Sequence, residues 1–179
     1  MKDIEEIGYF SADDDADHSL WAALSGFVAT ATDPFGRDPQ VGHVTGSAFV
    51  LSPDREAVLL THHAKLHMWL QLGGHCDGIA DVPFVALKEA YEESGLRRIQ
   101  PVGDARRVLD IDIQTIPATA KEPEHLHYDV RYLFLASDLD FTVSAESNAL
   151  RWVPLGELEA FNNSESLLRL RQRTLDFLC

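Results

Sequence analysis

Between Gly73 and Leu96 the chain reads GGHCDGIADVPFVALKEAYEESGL, with Glu89, Glu92 and Glu93 at spacings i, i+3 and i+4. On a helix these carboxylates share one face, within an arc of about 100°. Lys88 flanks that arc. Like charges so spaced destabilise a bare helix by roughly a few tenths of a kcal/mol per pair, and a bound divalent cation is the simplest compensation. Mg2+ and Mn2+ favour clustered carboxylate oxygens and bring substrate phosphates with them. The alternative is a solvated acidic face, the commoner fate of charges on a generic helix. The helix itself is well specified. Asp81 is a good N-cap, Pro83 falls in the tolerated first turn and Gly95 suits the position after the last turn. Phe84, Leu87 and Tyr91 form an apolar stripe opposite the acids, while Val82, Val85 and Ala86 lie on the acidic side one turn earlier. Apolar residues on both sides predict a helix largely covered by other elements.

The same segment resembles the Nudix box, G-x5-E-x7-R-E-U-x-E-E-x-G-U, with U a bulky aliphatic residue. Aligned on Gly74, the chain matches at Glu89, Glu92, Glu93, Gly95 and Leu96. It departs at Ala80, in place of the first glutamate, at Lys88, in place of arginine, and at Ala90. HMWLQLGGHCDG followed by PEHLHYDVRYLF resembles a bacterial subgroup of that family. The resemblance spans residues 40 to 160. It implies a mixed sheet sandwiched between helices, an α/β/α arrangement with an added N-terminal helix and a C-terminal helix. It also implies a hydrolase that cleaves the diphosphate of a small nucleoside diphosphate derivative. The implied metal ligands are Glu89, Glu92, Glu93 and the carbonyl of Gly74, holding Mg2+, for which Mn2+ would substitute. Lys88 would pair with a carboxylate without the planar fork of arginine. Asp77 or Asp81 could replace the contact that Ala80 cannot supply. The general base would be Glu89 or, as second choice, Glu146.

Composition narrows the partners. A net charge of −14 over 179 residues leaves no basic patch for nucleic acid and disfavours an anionic membrane surface. For a polyanionic substrate that acidity makes a bridging cation more necessary. The acidic N-terminus is unlike a signal peptide, and the two cysteines, Cys76 and Cys179, frame neither a disulfide scaffold nor a thiolate metal site. A reducing cytoplasm is the expected compartment.

The order of elements predicts a mixed α/β (α+β) fold in a single domain, with residues 1–39 as an arm and helix packed on a domain of residues 40–179. Asp13, Asp14, Asp15 and Asp17 read as a solvated tract. A helix near 18–31, with Leu20, Leu24, Phe27 and Val28 on its stripe, either packs on the domain or forms a homodimer contact. Residues 41–51 and 57–61 read as a hairpin, residues 68–72, 106–116, 128–136 and 150–153 as further strands, and Phe141 and Val143 as the start of another. Residues 154–161 predict a short helix. Residues 164–178 predict a closing helix, with Asn162 and Glu165 at capping-box spacing.

Histidines are the unusual feature. His62, His63 and His67 cluster before the box, His75 follows its glycines, and His125 and His127 alternate around Leu126, so both could face one side of a strand. With Asp110 and Asp112 they could hold a second metal. They could equally donate to substrate phosphates, or be ordinary hydrogen-bonded residues. Trp69, Tyr128 and Phe49 could stack on a base, although each aromatic is more often core. Two other functions remain open: a nucleotide-binding sensor that does not cleave its ligand, and a diphosphate isomerase using Cys76.

Overall fold

The computed structural model describes residues 4–37, 41–120, 122–144 and 147–179. Among these, the strands are β1 Tyr9–Phe10, β2 Gly42–Leu51, β3 Ala57–His63, β4 Trp69–Leu70, β5 Leu72–His75, β6 Ile99–Pro101, β7 Arg107–Val108, β8 Asp110–Ile116, β9 His125–Ala136 and β10 Ser147–Pro154. The helices are α1 Asp15–Thr30, α2 Val82–Ser94, α3 Leu158–Phe161 and α4 Glu165–Leu178. No described helix is long and apolar enough to cross a membrane.

β2 and β9 run parallel through the centre of the main sheet, in register from Gly42↔Leu126 to Leu51↔Leu135. Around them the order is β10-β3-β2-β9-β6, with β4 on β3, β5 on β2 and β8 on β9, all antiparallel. Every residue of β2 is buried. Because side chains alternate along a strand, Val44, Ala48 and Val50 join one core and Phe49 and Leu51 the other. The first core is closed by α1 (Leu24, Phe27, Val28) and α2 (Val82, Val85, Ala86, Ala90), the second by α4 (Leu167, Leu170). Each fully buried Val or Leu among them contributes about 1.5–3 kcal/mol. A mixed sheet with helices on both faces is the α/β/α sandwich expected from the sequence.

The 41–61 hairpin exists at its turn, where Ser52 N–H donates to Ala57 O at 2.9 Å, but β2 and β3 pair only at Leu51↔Val58. β3 then pairs with β10, and β2 takes β5 and β9, because burial on both sides favours long-range partners over the local one. Phe141 and Val143 belong to no strand; Phe141 packs on the first core from an irregular segment and Val143 is exposed. The cap of α4 is Ser164, which accepts from Leu167 N–H, while Asn162 accepts from Ser164 N–H.

Asp17 is not solvated: it is buried and paired with Arg173. Burial alone would raise its pKa, but the Arg173 hydrogen bond and charge hold it below the usual carboxylate range. That pair ties α1 to α4. Beside it, Arg131 is buried among Asp129 (2.8 Å), Asp110 (3.1 Å) and Asp112 (3.2 Å), and Arg169 forks onto Asp110 at 2.9 and 3.0 Å. Arg173 Nε lies 2.9 Å from Asp110 Oδ1 but off the N–H axis, a charge contact without a hydrogen bond. Asp110 and Asp112 are therefore consumed by guanidinium groups and do not join the histidines.

Candidate functional site

α2 is fixed at both ends as its sequence specifies. The Asp81 side chain accepts from Phe84 N–H, Pro83 lies in the first turn, and Gly95 takes the left-handed conformation at φ +63° that lets the chain leave the helix. Phe84 is exposed rather than part of a buried stripe, and the acid-side residues Val82, Val85 and Ala86 carry the packing. The helix lies close on the strand pair β2–β5 because Gly46 and Gly74 face each other there. A Cβ on Gly46 would come within 3.0 Å of Val82 O. One on Gly74 would come within 2.5 Å of Glu89 Oε2. The sequence thus brings the box carboxylates onto the glycine strand.

The three glutamates are not equivalent. Glu93 is buried, and its Oε1 accepts from Gly73 N–H at 2.8 Å. The Glu89 side chain is 14% exposed and that of Glu92 60%. Lys88 Nζ donates to both, at 2.7 Å to Glu89 Oε1 and 3.0 Å to Glu92 Oε2. Its pKa is raised, first by the Glu89 hydrogen bond and further by the Glu92 one against partial burial. An ammonium thus lies between two carboxylates, with a third pinned nearby by a backbone N–H. Hard oxygen donors of this kind fit Mg2+ or Mn2+. Neither candidate substitute for the missing first glutamate is free: Asp77 pairs with Arg37, and Asp81 caps α2.

On the opposite side of the sheet, four imidazoles converge. Gly46 faces α2, so His43, Thr45 and Ser47 face away from it. His127 is the register partner of His43, and His75 that of Thr45. Ring centroids are 4.5 Å apart for His43–His127, 4.9 Å for His43–His75 and 5.2 Å for both His43–His125 and His125–His127. Burial, reinforced by neighbouring imidazoles, depresses His43 to about 4 and His127 to about 3; burial and then Arg37 lower His75. The lowered values of His43, His75 and His127 favour their uncharged rings, each of which keeps one N–H donor. His43 escaped the sequence reading. Its only signal was alternation with Thr45 and Ser47, and its neighbours come from a pairing 84 positions away, as the Thr45–Asp129 bond beside it shows.

Other candidates are placed elsewhere. Tyr128 faces the first core, its ring stacked on Phe27 at 4.2 Å and 8°. Trp69 packs edge-on against Phe161 at 5.8 Å and borders the second core, where Phe49 is fully buried. Tyr128 and Phe49 are buried in packing, while Trp69 remains half-buried. His62 lies in β3, 5.2 Å from the Trp69 ring and hydrogen-bonded by Asn148. Cys76 is sealed in the first core, and burial pushes its thiol up to about 12, so it offers no thiolate nucleophile. Glu146 lies outside the described residues.

No family sequence profile and no curated protein sequence matches the chain. Solved structures do. A hydrolase of the Nudix family from Clostridium perfringens is 26% identical, with a TM-score of 0.56 over 76% of this chain and 98% of that one. The C. elegans Ap4A hydrolase, in a binary complex, shares 16% identity and a TM-score of 0.55 over 75% of this chain and 96% of its own. The Nudix domain of Shewanella oneidensis NrtR, complexed with ADP ribose, shares 19% identity and a TM-score of 0.57 over 87% of this chain and 98% of its own. The latter two establish likeness of fold.

Proposed function

We propose that the chain is a Nudix hydrolase, a divalent-metal-dependent hydrolase of a small nucleoside diphosphate derivative, on the strength of its fold and of the Clostridium perfringens relative. The observation that carries the reading is the seating of the box carboxylates on the glycine strand: Glu89 against Gly74, and Glu93 on Gly73 N–H. Glu89, Glu92, Glu93 and the Gly74 carbonyl would hold Mg2+. When bound, that ion would neutralise phosphate charge and lower the pKa of a bound water. Glu89 is the proposed base, taking a proton from the water that attacks phosphorus; the bridging oxygen departs with the other phosphate. Lys88 positions Glu89 through the 2.7 Å contact on Oε1, leaving Oε2 beside Gly74. Glu93 is held in orientation by the Gly73 backbone donor. With a net charge of −14, the protein has little else with which to offset an anionic substrate.

The test is a panel of ADP-ribose, diadenosine tetraphosphate, nucleotide sugars and nucleoside triphosphates, incubated with Mg2+ or Mn2+ in 18O-labelled water. Cleavage of one class, with label in a single phosphate product, is the expected result. A second reading, a nucleotide sensor, draws on Lys88 already neutralising two of the three acids. Nucleotide binding with no turnover on any member of the panel would replace the hydrolase reading with that one.

A further inference from the structure

The imidazoles on the far face of the sheet form a site of different chemistry from the carboxylates. We infer that His43, His125 and His127 form a second metal site, selective for a borderline transition ion of the zinc type, with His75 at its margin.

Geometry carries this. One ring nitrogen from each of the three histidines lies within 4.8 Å of the others. His125 Nε2 and His127 Nε2 are 3.3 Å apart. Two nitrogens bound to one tetrahedral zinc at about 2.0–2.1 Å would be about 3.3–3.4 Å apart. The tautomer of His125 is set from behind: its Nδ1 lies 2.9 Å from Pro123 O, a carbonyl that can only accept. Nδ1 therefore carries the proton and the Nε2 lone pair points at His127. A backbone carbonyl holding the distal nitrogen is how metal-bound histidines are oriented.

His43 supplies an independent observation. It is 3% exposed, and neither ring nitrogen has a hydrogen-bond partner among the described residues. Burying an imidazole with neither nitrogen paired is unfavourable, and a metal bond removes that penalty. The nearby carboxylate cannot take the ion's place as ligand or partner. Asp129 accepts from Thr45 and Ser47 on Oδ1 and from Gln71 and Arg131 on Oδ2. The donor set is thus nitrogen only. Imidazole favours Zn, Cu, Fe and Ni over the Mg2+ that the carboxylate face selects. Three protein ligands with a further coordination position is the open form of a zinc site. The two centres are on opposite faces, since consecutive residues Gly74 and His75 point to opposite sides of β5.

The test uses Co2+ as a spectroscopic stand-in on chelator-treated full-length protein, with no substrate present. The expected result is one equivalent bound with the intense visible bands of four- or five-coordinate cobalt, displaced by Zn2+. His43→Ala and His127→Gln, each checked for native circular dichroism, should each weaken uptake at least as much as the roughly 10–100-fold that outer-shell changes cause. The half-buried His127 keeps the test decisive should His43→Ala fail to fold. The Glu89→Gln, Glu92→Gln double variant should leave the cobalt spectrum unchanged. A pale octahedral spectrum, no stoichiometric uptake, uptake unaffected by His127→Gln, or loss of the bands in the glutamate variant would each overturn the assignment.

Discussion

Replacing Gly74 with alanine would separate the carboxylate site from the fold that carries it. Gly74 is not among the glycines with positive φ, so alanine can adopt its backbone without strain. The new Cβ would lie 2.5 Å from Glu89 Oε2, 2.7 Å from Cδ and 3.2 Å from Cγ. Restoring ordinary contact at 3.4 Å requires the carboxylate oxygen to retreat by about 0.9 Å. The obstructing group is the end of a flexible side chain, so Glu89 can rotate away and stability should change by no more than about 1 kcal/mol, helped by the lost entropy of glycine in the unfolded chain. Function should not be so tolerant. A displacement of about 1 Å at a catalytic group costs roughly 100-fold in rate, about 2.7 kcal/mol. We therefore expect Gly74→Ala to melt near the wild-type temperature while kcat/KM on the identified substrate falls about 100-fold and Mn2+ binding by calorimetry weakens in parallel. Activity and Mn2+ affinity within twofold of wild type, in a protein shown to be folded, would refute the placement of Glu89 at this centre.

Further outcomes follow from the same contacts. Glu89→Gln, at the enclosed acid, should reduce turnover and Mn2+ affinity more than Glu92→Gln, whose carboxylate is mostly solvated; calorimetry and steady-state kinetics on both variants give the ranking, and equal effects would count against it. Arg131→Met removes the only described guanidinium bonded to Asp129 and should destabilise the protein by roughly 3–5 kcal/mol, read as a lowered urea midpoint. Asp17 and Asp112 both have folded pKa values below their unfolded ones, as burial is outweighed by Arg173 for the first and by Arg131 and Arg169 for the second. Their stabilisation is present above the unfolded carboxylate value near 3.8 and is lost as pH falls through the lower folded values. The melting temperature should therefore drop steeply below about pH 4, and Arg173→Met should lower the neutral-pH value while flattening that drop.

Local chemistry was enough to read α2 from sequence. A capping aspartate, a first-turn proline, a left-handed glycine and three acids at helical spacing all act within one or two turns, and each stands where its own residue type requires. The family resemblance rested on the same short stretch, and the sandwich fold followed from it. What the linear chain could not encode visibly were pairings between distant strands. The sequence pointed to a β2–β3 hairpin because the turn at Ser52 is local; the partners that β2 took, β5 and β9, were chosen by burial on both faces of the sheet. Asp17 reads as solvated until α4 delivers Arg173 to it. His43 is set opposite His127 and beside His125 only by the parallel pairing. Spacing along the chain specified one cluster of candidate metal ligands, the carboxylates. The other, the imidazoles, exists only where strands from three parts of the sequence are brought edge to edge, because side-chain convergence across a sheet depends on register, and register is decided by the core.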